Sequence, residues 1–119
     1  MTEPVELVDR YIATWNETDA AQRRALIART WREDGRYVDP VMSGDGVTGI
    51  DAMIAGVQGR FPGFVMRRVG EVDAHNDRVR FNWALGPDGG EPVVGGVDFG
   101  VTAEDRLAAI TGFIDFAPA

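Results

Sequence analysis

The sequence predicts an α+β domain in which three helices come first and an antiparallel β-sheet follows. Two observations carry this. Apolar residues recur every three or four positions as far as Pro62, and from Phe64 onward they alternate with period two. A run of helices followed by a meander of strands packs as helices on one face of a sheet.

The elements follow in order. Thr2 is placed to cap a first helix, with Pro4 and Glu6 suited to its first turn. Val5, Val8, Ile12 and Trp15 form its apolar stripe, and it ends near Asn16. Asp19 followed by Gln22 resembles a capping box and opens a second helix. The expected buried stripe there is Leu26, Ile27 and Trp31, with Arg23, Arg24 and Arg29 solvated. Residues 31–40 read as a helix end, a break at Asp34-Gly35, a very short strand and an acid before a proline. Pro40 lacks an N–H and pushes Asp39 towards extended geometry, so the strand stops at Asp39. Residues 43–49 read as a flexible glycine-rich loop. It has no lysine, and Asp45 would repel a phosphate, so it is not a phosphate cradle. Ile50, Met53, Ile54 and Val57 define a third helix, stopped by Pro62-Gly63.

Four strands are predicted at 64–74, 78–85, 92–102 and 107–116, joined by turn-like segments at 75–77, 86–90 and 103–105. Alternation places Phe81, Trp83 and Leu85 on one face of their strand and Arg80, Asn82 and Ala84 on the other. The next strand puts Val94, Gly96, Asp98 and Gly100 opposite Val97, Phe99 and Val101. In the last strand Ala108, Ile110, Gly112 and Ile114 oppose Thr111, Phe113 and Asp115. Both faces carry apolar residues. One is expected to be covered by the helices around a cavity, the other by a second copy of the chain, giving a homodimer through the outer sheet face.

Bulk properties narrow the function. At 119 residues, the expectation is a single domain over 1–119 with a real core. Twelve basic against nineteen acidic residues give a net charge of -7 with no basic run, which disfavours nucleic acid and anionic membranes. There is no cysteine, hence no disulfide, thiolate metal site or cysteine nucleophile. The N-terminus lacks a signal-peptide pattern, and no apolar run approaches the roughly 20 residues that span a bilayer. A cytoplasmic location is expected. His75, the sole histidine, sits in a turn between polar neighbours and reads as solvated, and the acids show no metal-ligand spacing. Ser43 is the sole serine and has no G-x-S-x-G around it.

Four stretches carry a resemblance: Arg10-Tyr11-Ile12-Ala13-Thr14-Trp15-Asn16, Tyr37-Val38-Asp39-Pro40, Gly49 at a helix opening, and Val93-Val94-Gly95-Gly96-Val97-Asp98. In this order they resemble ketosteroid isomerase and, more widely, the nuclear transport factor 2-like superfamily that includes the SnoaL-like polyketide cyclases. The resemblance covers essentially the whole chain and implies a cone-shaped, curved sheet wrapped around a pocket. It implies Asp39 as a general base, Tyr11 as the main hydrogen-bond donor to an enolate oxygen, and Asp98 as a second, protonated donor. It implies Trp15, Val57, Arg80, Asn82 and Ile110 as the surroundings of a small apolar substrate, with no cofactor and no metal.

The residues support this chemistry independently. Enolisation needs a base within reach of a weakly acidic C–H and donors aimed at the oxygen that gains charge. Gly96 and Gly100 flank Asp98 on its face and leave room for a ligand. Departures from the isomerase pattern are also visible. Val57 stands near where the isomerases present a supporting tyrosine, and Arg80 and Asn82 fall on the strand face that is apolar in those enzymes. An Arg80–Asp98 pair would keep Asp98 ionised and unable to donate. Two alternatives follow: a ligand-binding or dimeric interaction module without chemistry, and an epoxide hydrolase-like site in which Asp39 or Asp98 activates water beside Arg80 and Asn82.

Overall fold

A computed structural model describes residues 2–118. The single-domain expectation for 1–119 extends one residue beyond them at each end. Helix α1 spans Pro4–Asn16, α2 Ala20–Thr30 and α3 Gly46–Arg60; the strands are β1 Trp31–Val38, β2 Ser43–Asp45, β3 Phe64–His75, β4 Arg78–Pro87, β5 Val94–Ala103 and β6 Arg106–Phe116. They form a six-stranded sheet in the order β2-β1-β6-β5-β4-β3. The four long C-terminal strands are an antiparallel meander, and β1 joins the edge of β6 in parallel, so the sheet is mixed.

Helix α1 buries Leu7, Val8, Tyr11, Ile12 and Trp15 along one stripe and lies on β3. Its N-cap is Glu3, not Thr2. The Thr2 backbone N–H instead donates to Asp105 Oδ1 at 3.0 Å. At the other end Asn16 makes a two-way bond with the backbone of Met66, donating to its carbonyl at 2.9 Å and accepting from its N–H at 2.8 Å. That bond fixes the end of α1 against β3.

Asp19 caps α2 by accepting from the Gln22 N–H at 2.9 Å. The second helix departs from expectation in two ways. Arg23 is buried, 5 % exposed, because Asp51 of α3 lies 2.7 Å from its Nε and Gln58 Oε1 lies 3.0 Å from its Nη1. Trp31 opens a strand instead of closing the helix. Its buried ring crosses Gly35, where an added Cβ would lie 2.6 Å from Trp31 Cε3. The expected break at Asp34-Gly35 is thus an irregularity inside β1, where the register against β6 shifts between Trp31 and Arg36.

The glycine-rich loop is ordered structure. Ser43–Asp45 pairs antiparallel with β1, and Gly46, at φ 70°, turns the chain directly into α3. Further register shifts interrupt β3–β4 between Val69 and Asp73 and β5–β6 at two places. Gly70, at φ 75°, supplies the left-handed residue in β3. Such irregularities bend long strands and curve the sheet around the helices. The core between them includes Tyr11, Ile27, Trp31, Ile54, Phe81 and Ile110, all 1 % exposed or less. Each large side chain buried this way contributes about 1.5–3 kcal/mol. No helix among the described residues is long and apolar enough to cross a membrane.

Candidate active site

The floor of the site is assembled by α1, β4 and β5. Register decides which face of each strand takes part: Phe81 pairs directly with Asp98, so these two, and Trp83 two residues on, share the inner face. Tyr11 Oη donates to Asp98 Oδ2 at 2.8 Å, and Trp83 Nε1 donates to Asp98 Oδ1 at 3.0 Å. Asp98 is 2 % exposed and Tyr11 1 %. The Tyr11 ring is wedged edge-on among Phe81, Trp31 and Trp15, with centroids 5.6, 6.1 and 6.4 Å away. Gly96 makes the arrangement possible, since a Cβ there would sit 1.9 Å from the Phe113 carbonyl and 2.9 Å from the Trp83 ring.

The second acid arrives from the end of β1. Asp39 Oδ1 accepts from the backbone N–H groups of Val41 and Met42 at 2.8 and 2.9 Å, the turn that Pro40 initiates. Its Oδ2 accepts from the Tyr37 hydroxyl at 2.7 Å. Tyr37 lies near the end of β1, two residues before Asp39, and this hydrogen bond holds the two side chains on the same side. Gly112 of β6 lies at the junction of the two groups. A methyl built there would be 2.8 Å from Asp98 Oδ1, 3.2 Å from Asp39 Cβ and 3.2 Å from the Tyr37 hydroxyl.

Above this junction is a cavity of about 460 Å³, within the size range of small-molecule sites. Most of its wall is apolar, with Val57, Phe61, Met66 and Leu85 among the lining residues. Burial pushes the Asp98 carboxyl up to about 7, helped by the charge of Asp39 and opposed by the hydrogen bonds from Tyr11 and Trp83. Burial, the Asp98 charge and Tyr37 raise Tyr11 well above the ordinary phenol value, and burial with the two aspartates raises Tyr37 too. Both phenols are therefore donors at neutral pH. Among the described residues no three His, Asp or Glu side chains gather as a metal site.

Tyr11, Asp39 and Asp98 all line this one cavity, and so do Trp15 and Val57. Three expected substrate contacts do not. Arg80 sits opposite Phe99 on the outer face, 57 % exposed at its side chain, and pairs with Asp73 across β3–β4. Asn82 lies on that same outer face and donates to the Gly96 carbonyl at 3.3 Å. Ile110 belongs to the core and is absent from the cavity wall. The Arg80–Asp98 pair is consequently not formed, and neither Arg80 nor Asn82 stands beside Asp39 or Asp98 on the cavity. Sequence reading missed Tyr37 and Trp83, whose inward parity with Asp39 and Phe81 was available, and Gly112, whose role depends on a contact between strands.

No protein-family model and no curated protein matches the chain. Solved structures do. A SnoaL-like family protein from Agrobacterium tumefaciens, described as a candidate isomerase, is 40% identical, with 97% of this chain and 99% of that one covered and a TM-score of 0.90. A candidate polyketide cyclase from Sinorhizobium meliloti is 15% identical over 89% and 92% of the two chains at a TM-score of 0.70. A candidate ketosteroid isomerase from Kribbella flavida is 20% identical over 95% and 78% at 0.69. The last two share the fold; the first shares sequence across nearly its full length. On that identity and coverage, this chain belongs to the SnoaL-like family of the nuclear transport factor 2-like, ketosteroid isomerase-like fold.

Proposed function

We propose that the cavity performs cofactor-free proton transfer on a small, mostly apolar carbonyl compound, a reaction of the isomerase or cyclase type. The observation that supports this most is the meeting of two carboxyl groups over Gly112, one of them buried and raised to about 7. Asp39 is the base. Its three hydrogen bonds occupy three of about four acceptor positions on a carboxylate and leave one for a substrate C–H. The C–H electrons form the new C=C bond, the carbonyl π electrons move onto oxygen, and Asp39 returns the proton to a different carbon.

The oxygen that gains charge is met by Tyr11. An indole N–H can only donate, so Trp83 requires Asp98 Oδ1 to be an acceptor. The proton of neutral Asp98 therefore belongs on Oδ2, facing Tyr11. When Oδ2 donates to the Tyr11 oxygen, the phenol proton is released towards the cavity. Asp98 thus acts through Tyr11, and the ring cluster around Tyr11 excludes water from the bond.

The test is conversion of 3-cyclohexen-1-one to its conjugated isomer, with solvent deuterium incorporation, by wild type and Asp39→Asn. A loss of about 10²–10⁴-fold is expected. Equal rates for the two proteins remove Asp39 as the base. A second reading, a ligand-binding module without chemistry, draws on the bonds from Val41 and Met42 to Asp39, which also describe an ordinary turn acid. Ligand binding without exchange by the wild type would select it.

The proposal includes a homodimer in the cytoplasm, with a second copy on the outer sheet face. Phe99, Phe113 and Phe116 are 43–52 % exposed there, and Phe99 and Phe113 stack edge-on at 5.9 Å. Sedimentation equilibrium should give a dimer for wild type and a monomer for Phe113→Glu; a monomeric wild type contradicts the dimer.

A further inference from the structure

Among the described residues, Arg60 is the one cationic residue on the cavity wall. It is the last residue of α3 and follows Val57, also on the wall, by three positions, so the two share a helix face. Its guanidinium carbon lies 5.7 Å from the centroid of the Phe61 ring, another wall residue. Among the described residues it enters no ion pair; Arg10, Arg29, Arg67 and Arg106 enter none either, but none of those four lines the cavity. The cavity is therefore bipolar. Phenol and carboxyl groups stand at its floor, an apolar wall follows, and an exposed guanidinium without an ion-pair partner among the described residues stands at the rim.

We infer that the site takes an amphipathic carbonyl compound carrying a carboxylate, with the carbonyl at Tyr11 and the carboxylate on Arg60. This rests on the proton-transfer reading of the floor for the position of the carbonyl, and on Arg60 alone for the anion. The net charge of -7 repels anions at a distance, so selection of an anionic group must come from local contact. A guanidinium beside an aromatic ring at the edge of an apolar wall supplies that contact, with planar two-point geometry suited to a carboxylate. Its position in the last turn of α3 also suits the helix dipole. That role needs only a cation near the helix end, not one on the cavity wall.

The test titrates 4-benzoylbutyrate and its methyl ester against the fluorescence of Trp15 and Trp83, both on the wall, at low and high salt. The acid should bind about tenfold more tightly than the ester in wild type at low salt, the effect of one charge-assisted hydrogen bond. Arg60→Gln should lower acid affinity about tenfold and leave the ester unchanged, while Arg60→Lys retains part of the preference. Equal binding of acid and ester by wild type, binding of neither, or a preference that survives Arg60→Gln overturns the inference. Asp39→Asn should keep the preference intact. A wild type that shows the acid preference but no proton transfer, or equal proton-transfer rates for wild type and Asp39→Asn, would therefore fail the reaction proposed above and leave the Arg60 assignment standing.

Discussion

Trp83 Nε1 donates to Asp98 Oδ1 across 3.0 Å, from one strand to its neighbour, and this bond dictates where a proton on Asp98 can reside. It also favours the charged form of the acid, in opposition to burial. Trp83→Phe keeps most of the apolar volume and removes the donor. The pH above which proton transfer fails should then move upward from about 7, because the charged form of Asp98 has lost a partner. Stability should fall by about 1–3 kcal/mol for the unsatisfied oxygen. A pH–rate profile of 3-cyclohexen-1-one isomerisation by both proteins checks the direction.

Asp98 also ties stability to pH. Its carboxyl is raised from 3.8 to about 7 in the folded protein, so between those values the native state holds a proton that the unfolded chain has released. Stability should be fully retained below pH 4 as far as this group is concerned. It should decline by up to about 4 kcal/mol as pH rises to 7, and level off above that. Urea unfolding across this range should show the decline in wild type and lose this component in Asp98→Asn.

Gly112→Ala tests the junction of the two acids. The backbone conformation there is not left-handed, so the new methyl acts through contact with Asp98, Asp39 and Tyr37. Overpacking costs about 1–3 kcal/mol, and displacing a catalytic group by an ångström costs about 10²-fold in rate. Gly56→Ala in α3 is the control, since its Cβ would meet nothing within 4 Å. That change should leave the rate unchanged and raise stability by up to about 1 kcal/mol.

The link between α2 and α3 separates a buried pair from an exposed one on a single carboxylate. Burial works against the charge of Asp51, but hydrogen bonds from Arg23 and Arg24 hold its pKa below the usual carboxylate value. Arg23→Ala should cost about 3–5 kcal/mol, because Asp51 would stay buried without its inner partner. Arg24, 64 % exposed at its side chain, should cost less than about 1 kcal/mol on the same change. Thermal unfolding of both variants measures the contrast.

The helices and the meander were legible because their signals are local: four- and three-residue spacing in Val8, Ile12 and Trp15, all buried, and alternation in Phe81, Trp83 and Leu85. Val5, expected in the same stripe, is exposed. What escaped depends on distant partners. Nothing near Trp31 announces that β1 will lie parallel to β6, some seventy residues on, so its apolar ring read as the end of a helix stripe. Arg23 read as solvated because Asp51 is twenty-eight positions away. Parity placed Arg80 and Asn82 together but not on the right side; only the pairing of Phe81 with Asp98 shows which face turns inward. Tyr11, Asp39 and Asp98 were singled out through resemblance and residue chemistry, and all three line one cavity. Tyr37 and Trp83 were passed over because an aromatic on the inner face reads first as core.

Donation from Tyr11 to the substrate oxygen requires Asp98 to be a neutral acid near neutral pH. Carbon-13 NMR of the aspartate carboxyls, with Asp98→Asn to assign the signal, measures this directly. The Asp98 resonance should titrate with a midpoint close to pH 7. A midpoint near 4, the ordinary carboxylate value, would mean that Asp98 is charged throughout the working range and that Tyr11 has no proton to offer.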